Sequence, residues 1–201
     1  MRKKETSQNR IKYLVAAALF AALTAVGAQL RVQLPSGVPM TMQTLVVLLS
    51  GFLLGSYYGP WSQVLYVFTG LIGFPVFAEG GGPAYILKPT FGYLVGYPLA
   101  SYTVAMLIYH KKSTLDLFDT RYYLGEVSKY RWVLAGVAGY LAIFIPGVSY
   151  LYFATNFILN VPVAFETILT AGFLFFIPGD IIKLAAIMIF LSFWAVKEKA
   201  L

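Results

Sequence analysis

Ionisable side chains are nearly absent from two long stretches of this 201-residue chain, and those gaps decide what it can fold into. From Tyr13 to Tyr109 only Arg31, Glu79 and Lys88 are charged, and from Trp132 to Val196 only Glu166, Asp180 and Lys183. A helix of about twenty apolar residues spans the hydrocarbon core of a bilayer, and these stretches hold several such runs. With 59% hydrophobic and 11% charged residues the chain departs from a soluble domain, in which about a quarter of residues are charged.

Cutting the stretches at turn signals and charges predicts six spans: Tyr13 to Leu30, Met40 to Tyr58, Trp61 to Phe77, Phe91 to Tyr109, Trp132 to Ala154 and Pro178 to Val196. An apolar piece from Phe165 to Phe176 is too short to span and reads as re-entrant or surface-lying, with Pro178 as a natural first-turn residue of the last helix. The expected fold is an all-α integral membrane protein, a single membrane domain over residues 1–201, with a Gly-rich outer loop.

Basic residues set the orientation, because cytoplasmic loops retain Lys and Arg during insertion. Arg2, Lys3, Lys4, Arg10 and Lys12 precede the first span, Lys111, Lys112, Arg121, Lys129 and Arg131 fall between the fourth and fifth, and Lys197 and Lys199 follow the last. Only Arg31 and Lys88 lie on the other side, so both termini are expected in the cytoplasm and the chain in the plasma membrane as a multi-pass protein. The net charge of +7 is then topology, and no nucleic-acid partner is expected. The first span mimics a signal peptide, with small residues at Ala25, Gly27 and Ala28, but the following spans need no separate targeting device. Trp61, Trp132 and Trp194 at span ends read as interfacial belt residues.

Much site chemistry is excluded. With no cysteine there is no disulfide or thiolate site, and the one histidine, His110, sits beside Lys111 and Lys112 as a solvated interfacial residue. No metal site and no cofactor are expected. The chain lacks a GxxxxGK[ST] phosphate loop and any serine–histidine–carboxylate constellation, so it neither hydrolyses ATP nor offers recognisable catalytic parts.

Three polar clusters remain. In FFIPGDIIKLAAIMIF, Phe175 to Phe190, Asp180 and Lys183 share a helix face, and an ionisable pair in an apolar span marks a functional site or a mutually neutralised structural pair. In FPVFAEGGGPAYILKPTFGY, Phe74 to Tyr93, Gly80, Gly81 and Gly82 allow backbone to approach a ligand or form a mobile lid, while Tyr85, Lys88 and Tyr93 add donors and flat apolar surface. In LPSGVPMTMQTL, Leu34 to Leu45, Thr41 suits capping, while Gln43 is costly facing lipid and is a candidate binding residue. Alanines at spacing four in the first span, Ala17 with Ala21, Ala18 with Ala22 and Ala21 with Ala25, permit close helix approach, either inside the bundle or to a partner.

VPMTMQTL, then GFPVFAEGGG, PTFGYLVGY and PGDIIK, in this order across Ala16 to Phe193, resemble the signatures of BioY-type biotin-binding S-components of energy-coupling factor transporters. The resemblance implies a binding subunit, not an enzyme, that captures biotin from outside; a transmembrane coupling subunit and two cytoplasmic ATPases would drive its delivery inward. Asp180 and Lys183 fall on the PGDxxK signature, where a carboxylate suits the ureido N–H groups of biotin and an ammonium suits its carbonyl or tail carboxylate. Two features of the pattern are missing: Gly80 to Gly82 contain no Asn, and Leu94 rather than Arg follows Tyr93. Lys88 stands as the replacement for the carboxylate contact. In such subunits an alanine stripe on this helix docks the coupling subunit, with Ala17, Ala18, Ala21, Ala22 and Ala25 as the candidates here. The alternatives left open are an S-component for lipoate or another carboxylated molecule, an acyl-transferring membrane enzyme, and a self-contained carrier using Asp180 as a proton relay.

Overall fold

A computed structural model describes residues 7–34, 37–109 and 117–195. Arg2, Lys3, Lys4, His110, Lys111, Lys112, Val196, Lys197 and Lys199 lie outside the described residues. Helix α1 (Ser7–Gln29) leads into a two-stranded antiparallel hairpin, β1 (Arg31–Gln33) with β2 (Pro39–Thr41), in which Val32 pairs with Met40. Helix α2 (Gln43–Leu71) follows, then an outer loop containing a single 3-10 stretch, Pro83–Leu87. Helices α3 (Phe91–Tyr109), α4 (Leu117–Glu126) and α5 (Lys129–Phe153) come next, and the chain ends with α6 (Phe165–Gly172) and α7 (Ile177–Trp194).

Helix α2 is not one rod. A straight helix would separate Gln43 from Tyr66 by about 34 Å at 1.5 Å per residue, yet Gln43 Nε2 donates to the Tyr66 hydroxyl at 2.6 Å. The reversal is at Gly55, whose φ of 74° and ψ of −170° are non-helical, a region essentially reserved for glycine. Residues 43–54 and 56–71 therefore lie antiparallel, and Gln63 of the second half donates to Ser50 of the first at 3.3 Å. Among the described residues, five helical stretches are long and apolar enough to cross a membrane, the folded α2 being one.

Small residues let the central helices meet. A Cβ added to Gly51 would sit 2.5 Å from the Ser101 carbonyl oxygen, one on Gly92 2.5 Å from that of Pro146, and one on Gly96 2.7 Å from the Ile143 Cα. Glycines four apart on α3 thus bring it against α5, as in membrane bundles where close backbone approach replaces hydrophobic expulsion. Thr24, Ser50, Gln63 and Ser101 form a buried polar chain from α1 through both halves of α2 to α3. The outward surface is apolar, with Leu14, Val15 and Leu19 on α1 and Ile181, Ile182 and Phe193 on α7 exposed.

The structure corrects two expectations and adds one helix. The third predicted span reaches Phe77, but the helix stops at Leu71 and Phe77 turns back into the bundle, its ring lying where a side chain on Gly70 would be. Trp132 is buried in the core rather than placed on an interfacial belt, whereas Trp61 is exposed. The polar connection before the fifth span contains helix α4.

Candidate ligand-binding site

A cavity opens among the hairpin, the outer loop and helices α2, α3, α5 and α7. It lies toward the end of the bundle opposite Arg10 and Lys12 at the start of α1 and Lys129 and Arg131 at the start of α5. One wall is aromatic. Tyr93 packs edge-on against Phe144 at 6.0 Å and stacks on Phe176 at 6.4 Å, with Tyr97 one helical turn along from Tyr93 on the same side. The lining also carries polar groups, from Thr41, Gln43, Thr44 and Lys183. A cavity lined this way suits a small ligand with an apolar body and a few fixed polar groups.

The hairpin and α1 set part of this polar lining. Met42 N–H donates to the carbonyls of Gly27 and Leu30, each at 3.1 Å, tying the entry of α2 to the last turn of α1. That fixes Gln43, which is buried and accepts at Oε1 from the Thr41 hydroxyl at 2.9 Å. Thr41 Oγ1 in turn accepts from the Gln43 backbone N–H at 3.3 Å, a local turn one residue ahead of the Met42 N-cap, and Thr41 also lines the cavity.

Asp180 and Lys183 are both buried and paired, Lys183 Nζ donating to Asp180 Oδ1 at 2.8 Å and to Thr44 Oγ1 at 3.0 Å. The two sit on different surfaces. Lys183 lines the cavity, while Asp180 stands behind it on an apolar groove between α5 and α7 that also holds Tyr140 and Phe144. Oδ2 of Asp180 is buried without a hydrogen-bond partner. An ion pair taken out of water is retained at a cost unless its remaining lone pairs are satisfied, and here one oxygen still has capacity to accept.

The outer loop acts by positioning. Phe77 N–H donates to the Gly80 carbonyl at 2.9 Å and Gly82 N–H to the Gly70 carbonyl at 2.7 Å, pinning the turn to the end of α2. Gly80 and Gly82 have positive φ, 108° and 99°; Gly81 does not, and is required because a Cβ there would lie 2.0 Å from the Phe74 carbonyl oxygen. None of the three lines the cavity; Ala78 and Tyr85, which their turn positions, do. Tyr85 is buried against Phe77, and burial pushes its phenol above the usual range. Lys88 donates to the Glu79 carboxylate at 3.0 Å and stands over the Tyr85 ring, outside the lining.

The alanines separate into two faces. Ala17 and Ala21 are buried and Ala25 is half-buried, whereas Ala18 and Ala22 are exposed. Sequence reasoning missed Tyr97, Phe144 and Phe176 in the aromatic wall. The step of four from Tyr93 pointed to Tyr97, but the two phenylalanines carry no local signal inside apolar runs.

The model of the BioY family matches residues 1–199. A probable biotin transporter BioY of Lysinibacillus sphaericus is 40% identical over 167 residues, 83% of this chain and 78% of that protein. The biotin transporter BioY of Thermotoga maritima is 34% identical over 176 residues, covering 87% and 90% of the two chains. The fold is also that of the crystal structure of an S-component for biotin from an ECF-type ABC transporter, with a TM-score of 0.74, 92% of each chain covered and 24% identity. Both the matched length and the identity to full-length relatives lead to one conclusion: the chain belongs to the BioY family.

Proposed function

We propose that this chain is the biotin-capturing S-component of an energy-coupling factor transporter, a multi-pass membrane protein and a binding subunit rather than an enzyme. The observation that carries the reading is the buried ion pair in which Asp180 holds the Lys183 ammonium at an aromatic-lined cavity. Biotin offers a carbonyl beside N–H donors on a rigid ring: the carbonyl matches the Lys183 ammonium that Asp180 holds from behind, and the N–H groups match the acceptors of the polar lining; its apolar bicycle suits Tyr93, Phe144 and Phe176. Gln43 and Thr41 supply further polar contacts, Tyr85 closes the outer side, and Gly80, Gly81 and Gly82 hold Tyr85 in place. Lys88, outside the lining and paired with Glu79, would reach the tail carboxylate only by leaving that ion pair.

The chain crosses the bilayer six times, the two halves of α2 counting separately, with both termini in the cytoplasm as the distribution of Lys and Arg requires. The exposed Ala18 and Ala22 face supports docking of a coupling subunit whose two ATPases supply the energy. Ala17 and Ala21 instead pack inside. Calorimetry of the purified chain with biotin, dethiobiotin and lipoate tests the reading. Saturable binding of biotin in preference to lipoate is expected; tighter binding of lipoate, or no biotin binding, overturns it.

A further inference from the structure

Tyr66 does not line the cavity, yet its hydroxyl connects a cavity residue to the outer loop. It donates to the Val76 carbonyl at 3.1 Å and accepts from Gln43 Nε2 at 2.6 Å. The logic of the chain is forced from its far end. A carbonyl only accepts, so the Tyr66 proton is committed to Val76 and the phenolic oxygen is left as an acceptor. Gln43 must then turn its NH₂ toward Tyr66 and its Oε1 toward Thr41, whose hydroxyl donates to it at 2.9 Å. Thr41 Oγ1 is itself occupied as acceptor by the Gln43 backbone N–H. What remains of the Gln43 amide is one N–H and one oxygen lone pair, on a residue that lines the cavity.

We infer that Tyr66 is a positioning residue: through Val76 it fixes the orientation of the Gln43 amide, so that the cavity presents one donor and one acceptor side by side to a ligand carrying the complementary pair. Without the hydroxyl the amide is free to turn over, and the donor and acceptor exchange places. The same bond ties Gln43 to the loop segment that leads directly through Phe77 to Ala78, another lining residue. Ligand contact and loop position are therefore joined through one hydroxyl.

This inference rests on the biotin-capture reading for its ligand, and the experiment keeps the two apart. Biotin affinity is measured for the full purified chain, for Tyr66→Phe, for Gln43→Leu and for the double variant. Tyr66→Phe keeps the ring packed on Phe77 and Tyr97, so only the hydroxyl is lost, and a weakening of about tenfold is expected. The double variant should bind no more weakly than Gln43→Leu alone. A Tyr66→Phe affinity equal to that of the parent overturns the positioning role. So does a double variant weakened by the product of the two single losses, which makes the hydroxyl a general structural contact. In parallel, ¹⁵N-glutamine spectra of the ligand-free chain, with Gln43 identified by its disappearance in Gln43→Leu, should show one side-chain proton shifted downfield. Two unshifted Gln43 amide protons overturn the clamp, and this readout on the parent decides the matter even where Tyr66→Phe does not fold. If the parent binds no biotin, the capture reading falls, while the spectra still decide the orientation of Gln43.

Discussion

Asp180 and Lys183 act on the site by different routes, because only Lys183 lines the cavity. Asp180→Asn exchanges a charged acceptor for an amide of similar size, and loss of a charge-assisted hydrogen bond of about 1.5–3 kcal/mol should weaken biotin binding by about ten- to a hundredfold in calorimetry. Unchanged affinity would remove Asp180 from the site. Lys183→Met should be at least as damaging, since it deletes the member that lines the cavity and leaves a buried carboxylate uncompensated. If a double variant regains binding, the pair is structural. Lys183 and Gln43 were legible in the sequence because polar groups in apolar runs are costly and therefore conspicuous. Phe144 and Phe176 were not, since one phenylalanine in a lipid-facing run looks like any other until the helices are packed. Lys88 was legible as a charge but not as the partner of Glu79, a pairing made by the fold of the outer loop.

Helix boundaries followed the charges well and the glycines less well. The ends of α3 coincide with the predicted span, but the turn expected between Tyr58 and Trp61 lies earlier, at Gly55, because helix resumes before Pro60 and runs on through it. Gly55→Ala should therefore cost about 1–3 kcal/mol of stability, read as a lower unfolding temperature, since only glycine holds that backbone conformation without strain. A melting curve matching the parent would mean that the hairpin of α2 can turn elsewhere. In the outer loop the two kinds of glycine predict different outcomes. Gly80→Ala meets open space and suffers only from its positive φ, about 1–2 kcal/mol. Gly81→Ala must push the Phe74 carbonyl away, moving the turn that seats Tyr85, so it should reduce biotin affinity as well as stability. Unchanged biotin affinity in Gly81→Ala would dissociate the loop from the site.

The bundle as a unit predicts a separation of capture from delivery. Ala18→Leu with Ala22→Leu enlarges an exposed face and should leave biotin binding intact while abolishing ATP-dependent uptake in vesicles with the coupling subunit and ATPases. Ala17→Leu with Ala21→Leu overfills a buried face and should lower the unfolding temperature. The same spacing in the sequence fitted both stripes, and only the packing of α1 against α2 tells them apart. Reversed results for the two pairs would place the docking face elsewhere. One helix finally links this binding site to its surroundings. Lys183 enters the cavity from α7, while Ile181, Ile182 and Ile189 on that helix look outward from the protein. Acyl chains, not protein, then brace the outer side of that wall. Lateral pressure and hydrocarbon thickness become determinants of affinity, so the same chain is expected to show different biotin dissociation constants in detergent micelles and in lipid nanodiscs of graded acyl length.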